Sequence, residues 1–271
     1  MKKYLAIFNL QTLIITVLCL VSGFLSVRYN FRIYADFLIF GIIIVFPITF
    51  TMREAFRRRE RSIQYLSLLK ASLKSIIYLF KITKMEEQKK AEIFGLARNV
   101  TDNLIQFLTS KEGDADAVHQ SSAALGAFIM THRKETKSNS FKIFSFVLRM
   151  NESVEFLMAV KRHHTPWGPR AIVLFTIYLF ALFYPPAVLS EVGGIVTWNL
   201  FLMTVGKILI LISLYNVQRL MEDTFSLYTP DAIRLDDFRI TPESLSTENT
   251  QQNSIPNPQG PYTFNYDQLY R

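Results

Sequence analysis

The stretch Gly41–Ser62, GIIIVFPITFTMREAFRRRERS, begins with residues that only hydrocarbon or a protein core accepts and ends in a run of arginines. No turn signal separates the halves, so one helical pattern has to cross from an apolar medium into water, with Pro47 near the join. A bilayer-spanning helix needs about 20 apolar residues at about 1.5 Å rise each. This stretch belongs to one such segment, Ile33–Met52, and three others approach the same length: Tyr4–Leu25, Ala171–Leu189 and Ile195–Leu214. Half of the chain is hydrophobic, yet 19% is charged, a balance that fits membrane helices joined to a substantial water-facing part. The opening MKKYLAIFNL has the basic start of a signal peptide. Its apolar stretch is longer than a signal's core and no small-residue cleavage site follows cleanly, so an uncleaved membrane helix is expected.

The links within each pair of apolar segments are short, so each pair reads as an antiparallel helical hairpin. Between the pairs, over Arg53–Arg170, basic residues outnumber acidic ones by more than the whole chain's net +8. Arg53, Arg57, Arg58, Arg59 and Arg61 crowd the end of the second segment, and Lys2 and Lys3 precede the first. The positive-inside rule then places the insert and both termini in the cytoplasm. The expected organisation is a first transmembrane hairpin over 1–52, a helical cytoplasmic domain over 53–170, a second hairpin over 171–216 and a cytoplasmic C-terminal segment over 217–271. The fold class is all-α: a multi-pass protein with four transmembrane helices, in a plasma or bacterial inner membrane.

The insert shows helical periodicity. Phe56, Ile63, Leu66, Leu69, Leu73, Ile76 and Phe80 form one stripe, and Ile93, Leu96, Val100, Leu104 and Phe107 a second. Leu125, Phe128 and Ile129 follow, then Phe141, Phe144, Leu148, Val154 and Leu157 after a cap-like Ser138-Asn139-Ser140. Lys111–Asp114 reads as a turn. The fourth span continues as helix through Tyr215–Asp223. The chain turns polar at Thr241, and Asn249–Pro261 has the composition of an irregular segment. Tyr262, Phe264, Tyr266 and Tyr270 then form an aromatic tail, either a loose end or a peptide that docks on a neighbouring surface.

Few residues suggest catalysis or a cofactor. The lone Cys19 excludes a disulfide framework and a cysteine metal cluster. His163 and His164 are adjacent and cannot share a helix face, and His119 and His132 sit among polar residues and read as exposed or capping histidines. Gly206-Lys207 lacks the rest of a phosphate loop. No cofactor, no metal and no enzymatic activity is expected. The arginine run could contact nucleic acid, but beside a membrane helix its expected partners are anionic lipid and acidic neighbours, not nucleic acid. Lys207 lies inside the fourth span, where a charge costs about 3 kcal/mol unless it meets protein or water. It either snorkels or pairs internally, or it lines an ion path.

Phe46-Pro47-Ile48-Thr49-Phe50 resembles the apolar-Pro-Ile-Ser-Phe stretch of the bestrophins. His164–Arg170, HTPWGPR, is similar to the Thr-Pro loop before the third membrane helix of bacterial members. Glu222-Asp223-Thr224-Phe225 resembles the family's Glu-x-Pro-Phe, with Thr224 where proline is usual, and Asp231–Asp236 sits where the family has an acidic stretch. The resemblance covers about Tyr4–Phe238; each motif is short, and their order is the stronger signal.

The resemblance implies a homopentameric ion channel, a divergent bestrophin, with the second membrane helix on the five-fold axis. Family neck positions at i, i+4 and i+8 fall on Phe46, Phe50 and Glu54. The first two keep the apolar pattern and Glu54 departs from it. Rings of Arg53 and Arg57 flank it, Pro47 would bend the helix, and Lys207 is a further candidate for charge selection. Two aromatic rings form a dry constriction and charged rings below it bias ion sign. The implied ions are monovalent, chloride first. A cation-selective homologue is one alternative, since Glu54 opposes anions. A non-conducting scaffold whose cytoplasmic helices bind a partner is the other. The acidic residues after the fourth span, Asp223, Asp231, Asp236 and Asp237, are too spread for the six to eight oxygens calcium takes, so no calcium site is expected.

Overall fold

The computed structural model describes residues 9–34, 37–110, 112–136, 139–163, 167–191, 198–226 and 232–242. These are helical, with no strand among them: α1 (Leu10–Tyr29), α2 (Phe37–Lys81), α3 (Glu87–Thr109), α4 (Ala115–Thr131), the short α5 (Arg133–Thr136), α6 (Ser140–Arg162), α7 (Trp167–Glu191), α8 (Trp198–Glu222) and a 3-10 turn at Leu235–Phe238. The aromatic tail, His164, Asp231 and the first eight residues lie outside the described residues.

Among the described residues, three helices are long and apolar enough to cross a membrane: Leu10–Tyr29, Arg170–Ser190 and Phe201–Glu222. The apolar residues of the second expected segment occupy the first part of α2, which starts at Phe37 rather than Ile33 and runs unbroken for 45 residues, about 68 Å of helix. The helix thus joins two separate cores. The first gathers Ile15 and Cys19 of α1, Ile44 and Ile48 of α2, Val173, Ile177 and Ala181 of α7, and Ile208 and Ile212 of α8. The second takes Leu66 to Phe80 of α2 and packs them on α3, α4 and α6. Phe225, Ile233, Leu235 and Ile240 join this second core, so the start of the C-terminal segment is built into the helical insert.

One buried stripe runs the length of α2: Ile44, Ile48, Ala55, Ser62, Leu66, Leu69, Leu73, Ile76 and Phe80. Phe56 and Ile63, which the sequence pattern places in this stripe, are 51% and 38% exposed. The small Ala55 and Ser62 are buried in their stead, and small side chains let neighbouring helices come close. A similar correction applies to α6. Phe141, Phe144 and Leu148 face outward, while Ile143, Val147 and Met150 pack inward with Val154 and Leu157. Asn139 does stand at the helix start, without a side-chain capping bond; Asp114 caps α4 by accepting from the backbone of Asp116 and Ala117. At Gly113 an added Cβ would stand 2.6–2.8 Å from Phe107, so this turn admits only glycine without rearrangement.

The backbone carbonyl freed by Pro186 finds its partner on another helix. Pro186 cannot donate to the Leu182 carbonyl one turn earlier. Ser22 of α1 donates to that carbonyl instead, at 2.5 Å. Ser190 Oγ donates to the Ile33 carbonyl, at 2.8 Å, and ties the end of α7 to the connection ahead of α2. At the other end of α1, Asn9 caps the helix by accepting from the Thr12 N–H. Its Nδ2 donates to Asn216 Oδ1 at 3.1 Å, and Asn216 Nδ2 donates to Thr12 Oγ1 at 2.8 Å. Hydrogen bonds at both ends therefore hold α1 to the α7–α8 pair. Ser22→Ala orphans the Leu182 carbonyl. It should cost about 1–3 kcal/mol and lower the melting temperature in detergent, followed by tryptophan fluorescence.

Candidate functional site

The Phe46 and Phe50 side chains lie one turn apart on α2. They touch edge to face, with ring centroids 4.5 Å apart and planes at 67°. Ile44 and Ile48, on the opposite face, are fully buried, whereas Phe46 is 62% and Phe50 53% exposed. The pair therefore points away from the chain's own core.

Pro47 lies inside the helix without ending it. It leaves the Ile43 carbonyl without its intrahelical donor. The hydroxyl of Thr49 donates to the Val45 carbonyl at 2.8 Å, and that of Thr51 to the carbonyls of Pro47 and Ile48, each at 2.9 Å. Such back-bonding favours a bend, so the bending elements of α2 cluster between 47 and 51.

Below the aromatic pair, Arg53, Glu54 and Arg57 are all exposed. Their azimuths differ. At about 100° per residue, Phe50 lies about 40° from Phe46, Arg53 about −20°, Arg57 about +20° and Glu54 about +80°. The two arginines share the direction of the aromatic face, and Glu54 stands at its flank. Glu54 also acts on Arg58: burial lowers the Arg58 pKa and the Glu54 charge opposes that shift. The Arg58 guanidinium donates to the carbonyls of Val160 and His163, at the end of α6. These bonds satisfy helix-end carbonyls that have no intrahelical donor and clamp α6 to α2 beyond the aromatic pair.

Lys207 is exposed on α8. Its Nζ donates to the Tyr184 hydroxyl at 2.6 Å and sits 5.2 Å from that ring's centroid. The internal partner is thus a neutral phenol and a π-face, which stabilise an ammonium without a carboxylate. The sequence held no spacing signal for this pair because Tyr184 comes from α7.

Another pair has the same origin. Arg170 in the first turn of α7 forms an ion pair with Glu222 at the last position of α8, whose side chain is only 6% exposed. Each charge sits at the unfavourable end of its own helix dipole. Paired, the two offset each other where α7 begins and α8 ends. Both residues fall in the motifs of the resemblance, but nothing in their separation along the chain marks them as partners.

Of the remaining polar residues, Arg239 bridges Asp102 of α3 and Asp236 of the 3-10 turn, and Arg98 pairs with the same Asp102. His119 faces Glu155 at 3.5 Å on the surface, and His132 Nδ1 lies 3.0 Å from the Phe128 carbonyl. Among the described residues, no three His, Cys, Asp or Glu side chains gather as metal ligands would.

No family model and no curated protein matches the sequence. Solved structures do match the fold. A bacterial bestrophin homologue from Klebsiella pneumoniae aligns with a TM-score of 0.72 over 84% of this chain and 93% of that chain, at 13% identity. A single-substitution form of that homologue aligns at 0.74 over 93% of this chain and 100% of that one, at 12% identity.

The chain has a bestrophin fold.

A further crystal structure, of a membrane protein, aligns at 0.72 with 12% identity. With three membrane-length helices among the described residues and these structural neighbours, the chain is an integral membrane protein. At this identity the bestrophin fold is shared while most side chains have changed, so α2 has to be read on its own residues. Replacing Arg170 by Ala leaves Glu222 buried without its counter-charge. That should cost about 3 kcal/mol, the low end for a broken buried pair because Arg170 is itself partly exposed. Adding Glu222→Gln should recover most of the loss, read as the return of the melting temperature in detergent.

Proposed function

We propose that this chain forms a bestrophin-like homopentameric channel that conducts monovalent anions, chloride first, along a pore lined by α2. Its membrane part would be two hairpins, four spans in all, with α2 supplying the second. Both termini and the insert would be cytoplasmic, as the arginines at 53–61 favour. The observation that carries the reading is the two-sidedness of α2. One face is a continuous buried stripe, and the other presents Phe46 and Phe50 outward on the apolar part of the helix. Large aromatic side chains on a helix already satisfied on its other side call for a use, and five copies around an axis would close them into a dry neck that gates by dewetting.

The azimuths of the charges support anions. Arg53 and Arg57 follow the aromatic face into the cytoplasmic mouth, while Glu54 is turned to the flank, near Arg58. Rings of arginine there raise local anion concentration and repel cations. The second reading, a cation-selective homologue, rests on Glu54 being exposed at all. In the third, a non-conducting scaffold, the outward face of α2 would serve only for packing.

Purified protein recorded in planar bilayers under a potassium chloride gradient separates these readings. The expected reversal potential lies toward the chloride equilibrium value, and Phe50→Ala should raise conductance without changing its sign. Reversal toward the potassium value would favour the cation reading. Absence of current from an intact oligomer would sink the channel reading.

A further inference from the structure

A hollow of about 770 Å³ opens on the second half of α2, between that helix, α6 and the 3-10 turn. This lies within the range of small-molecule sites, about 300–1,000 Å³, and is far larger than a monovalent ion needs. Its walls carry three lysines, Lys70 and Lys74 from α2 and Lys142 from α6, against one carboxylate, Asp237. Leu79, Phe146 and Phe238 form an apolar side, and Tyr78 and Ser75 add hydroxyls.

Lys70 is held in place by donating to the Asp237 backbone carbonyl at 2.5 Å. Burial and then the Lys74 charge push its pKa down, and Asp237 only partly opposes them. The lysines are thus crowded, and an added negative charge would relieve them. The hollow's nearest residue, Ser67, lies fifteen positions beyond Met52, where the apolar part of α2 ends. At about 1.5 Å per residue that is about 22 Å along the helix, beyond the reach of a lipid headgroup at the bilayer surface.

We propose that this hollow between α2, α6 and the 3-10 turn is a binding site for a soluble polyphosphorylated anion, its phosphates on Lys70, Lys74 and Lys142 and its organic body against Tyr78, Phe146 and Phe238. The three ammonium groups supply point-charge donors to phosphate oxygens. The site lies on the helix that carries the aromatic pair, so occupancy stiffens the cytoplasmic half of α2. Whether the chain conducts ions does not bear on the binding itself.

The test is isothermal titration of the intact, detergent-solubilised full chain with inorganic tripolyphosphate at fixed ionic strength. Saturable binding of one ligand per chain is expected, weakened about tenfold for each lysine removed in Lys70→Gln and Lys142→Gln. Lys70→Arg should keep most of the affinity. The double variant Lys84→Gln/Lys134→Gln removes as much charge from exposed positions elsewhere and should bind normally. Circular dichroism melts confirm that each variant is folded. No binding at millimolar tripolyphosphate overturns the proposal, as does equal weakening by the Lys84/Lys134 variant. Competition by phosphoinositide-bearing vesicles as strong as by the soluble anion overturns the assignment to a soluble ligand.

Discussion

Hydrocarbon offers no hydrogen bonds, so a chain crossing it has to satisfy its backbone internally, and every departure from regular helix needs a named partner. Pro186 makes this constraint visible. Pro186 frees the Leu182 carbonyl, and Ser22 of α1 covers it. Pro47 frees the Ile43 carbonyl in α2, and the helix continues with Thr49 and Thr51 bonded back onto its own turns. Because α2 does not break, it carries one buried stripe from the first core into the second. Helix continuity, more than any single contact, fixes how the two halves of the molecule are joined.

Long-range polar pairs complete that joining where apolar packing alone would leave charges exposed to hydrocarbon. Arg170 and Glu222 meet at adjoining helix ends. Asn9, Thr12 and Asn216 tie the start of α1 to α8, and Arg58 ties α2 to the end of α6. The links join helix ends to their neighbours: the start of α7 to the end of α8, the start of α1 to α8, and the end of α6 to α2. Lys207, farther from a helix end, is partnered by Tyr184.

Much of this was legible in the sequence because length and periodicity report on burial directly. The membrane-length apolar segments, the unbroken run of α2 through its arginines and the continuation of α8 to Glu222 all follow from residue patterns. The face of α6 was not legible. That helix is apolar on two sides, and periodicity cannot say which of two stripes meets a neighbour; the structure buries Ile143 and Val147 and leaves Phe141, 86% exposed, outside. On α2 the pattern favoured large Phe56 and Ile63 over small Ala55 and Ser62, because close helix approach leaves no hydrophobic signature. The candidate site was legible as Phe46 and Phe50, but the counting at i+8 that led to Glu54 ignored the drift of about 40° per four residues. That drift brings Arg53 and Arg57 under the aromatic pair.

The proposed pore requires that the outward face of α2 border water and ions while its opposite face stays packed. Cysteine accessibility during recording tests it most directly, in a Cys19→Ser background that removes the chain's single native thiol. Single cysteines at 46, 50, 53 and 57 should react with a charged, water-soluble thiol reagent and change the current. Cysteines at 44, 48 and 55 should remain inert. Reaction at both sets alike, or at the second set alone, would contradict the account.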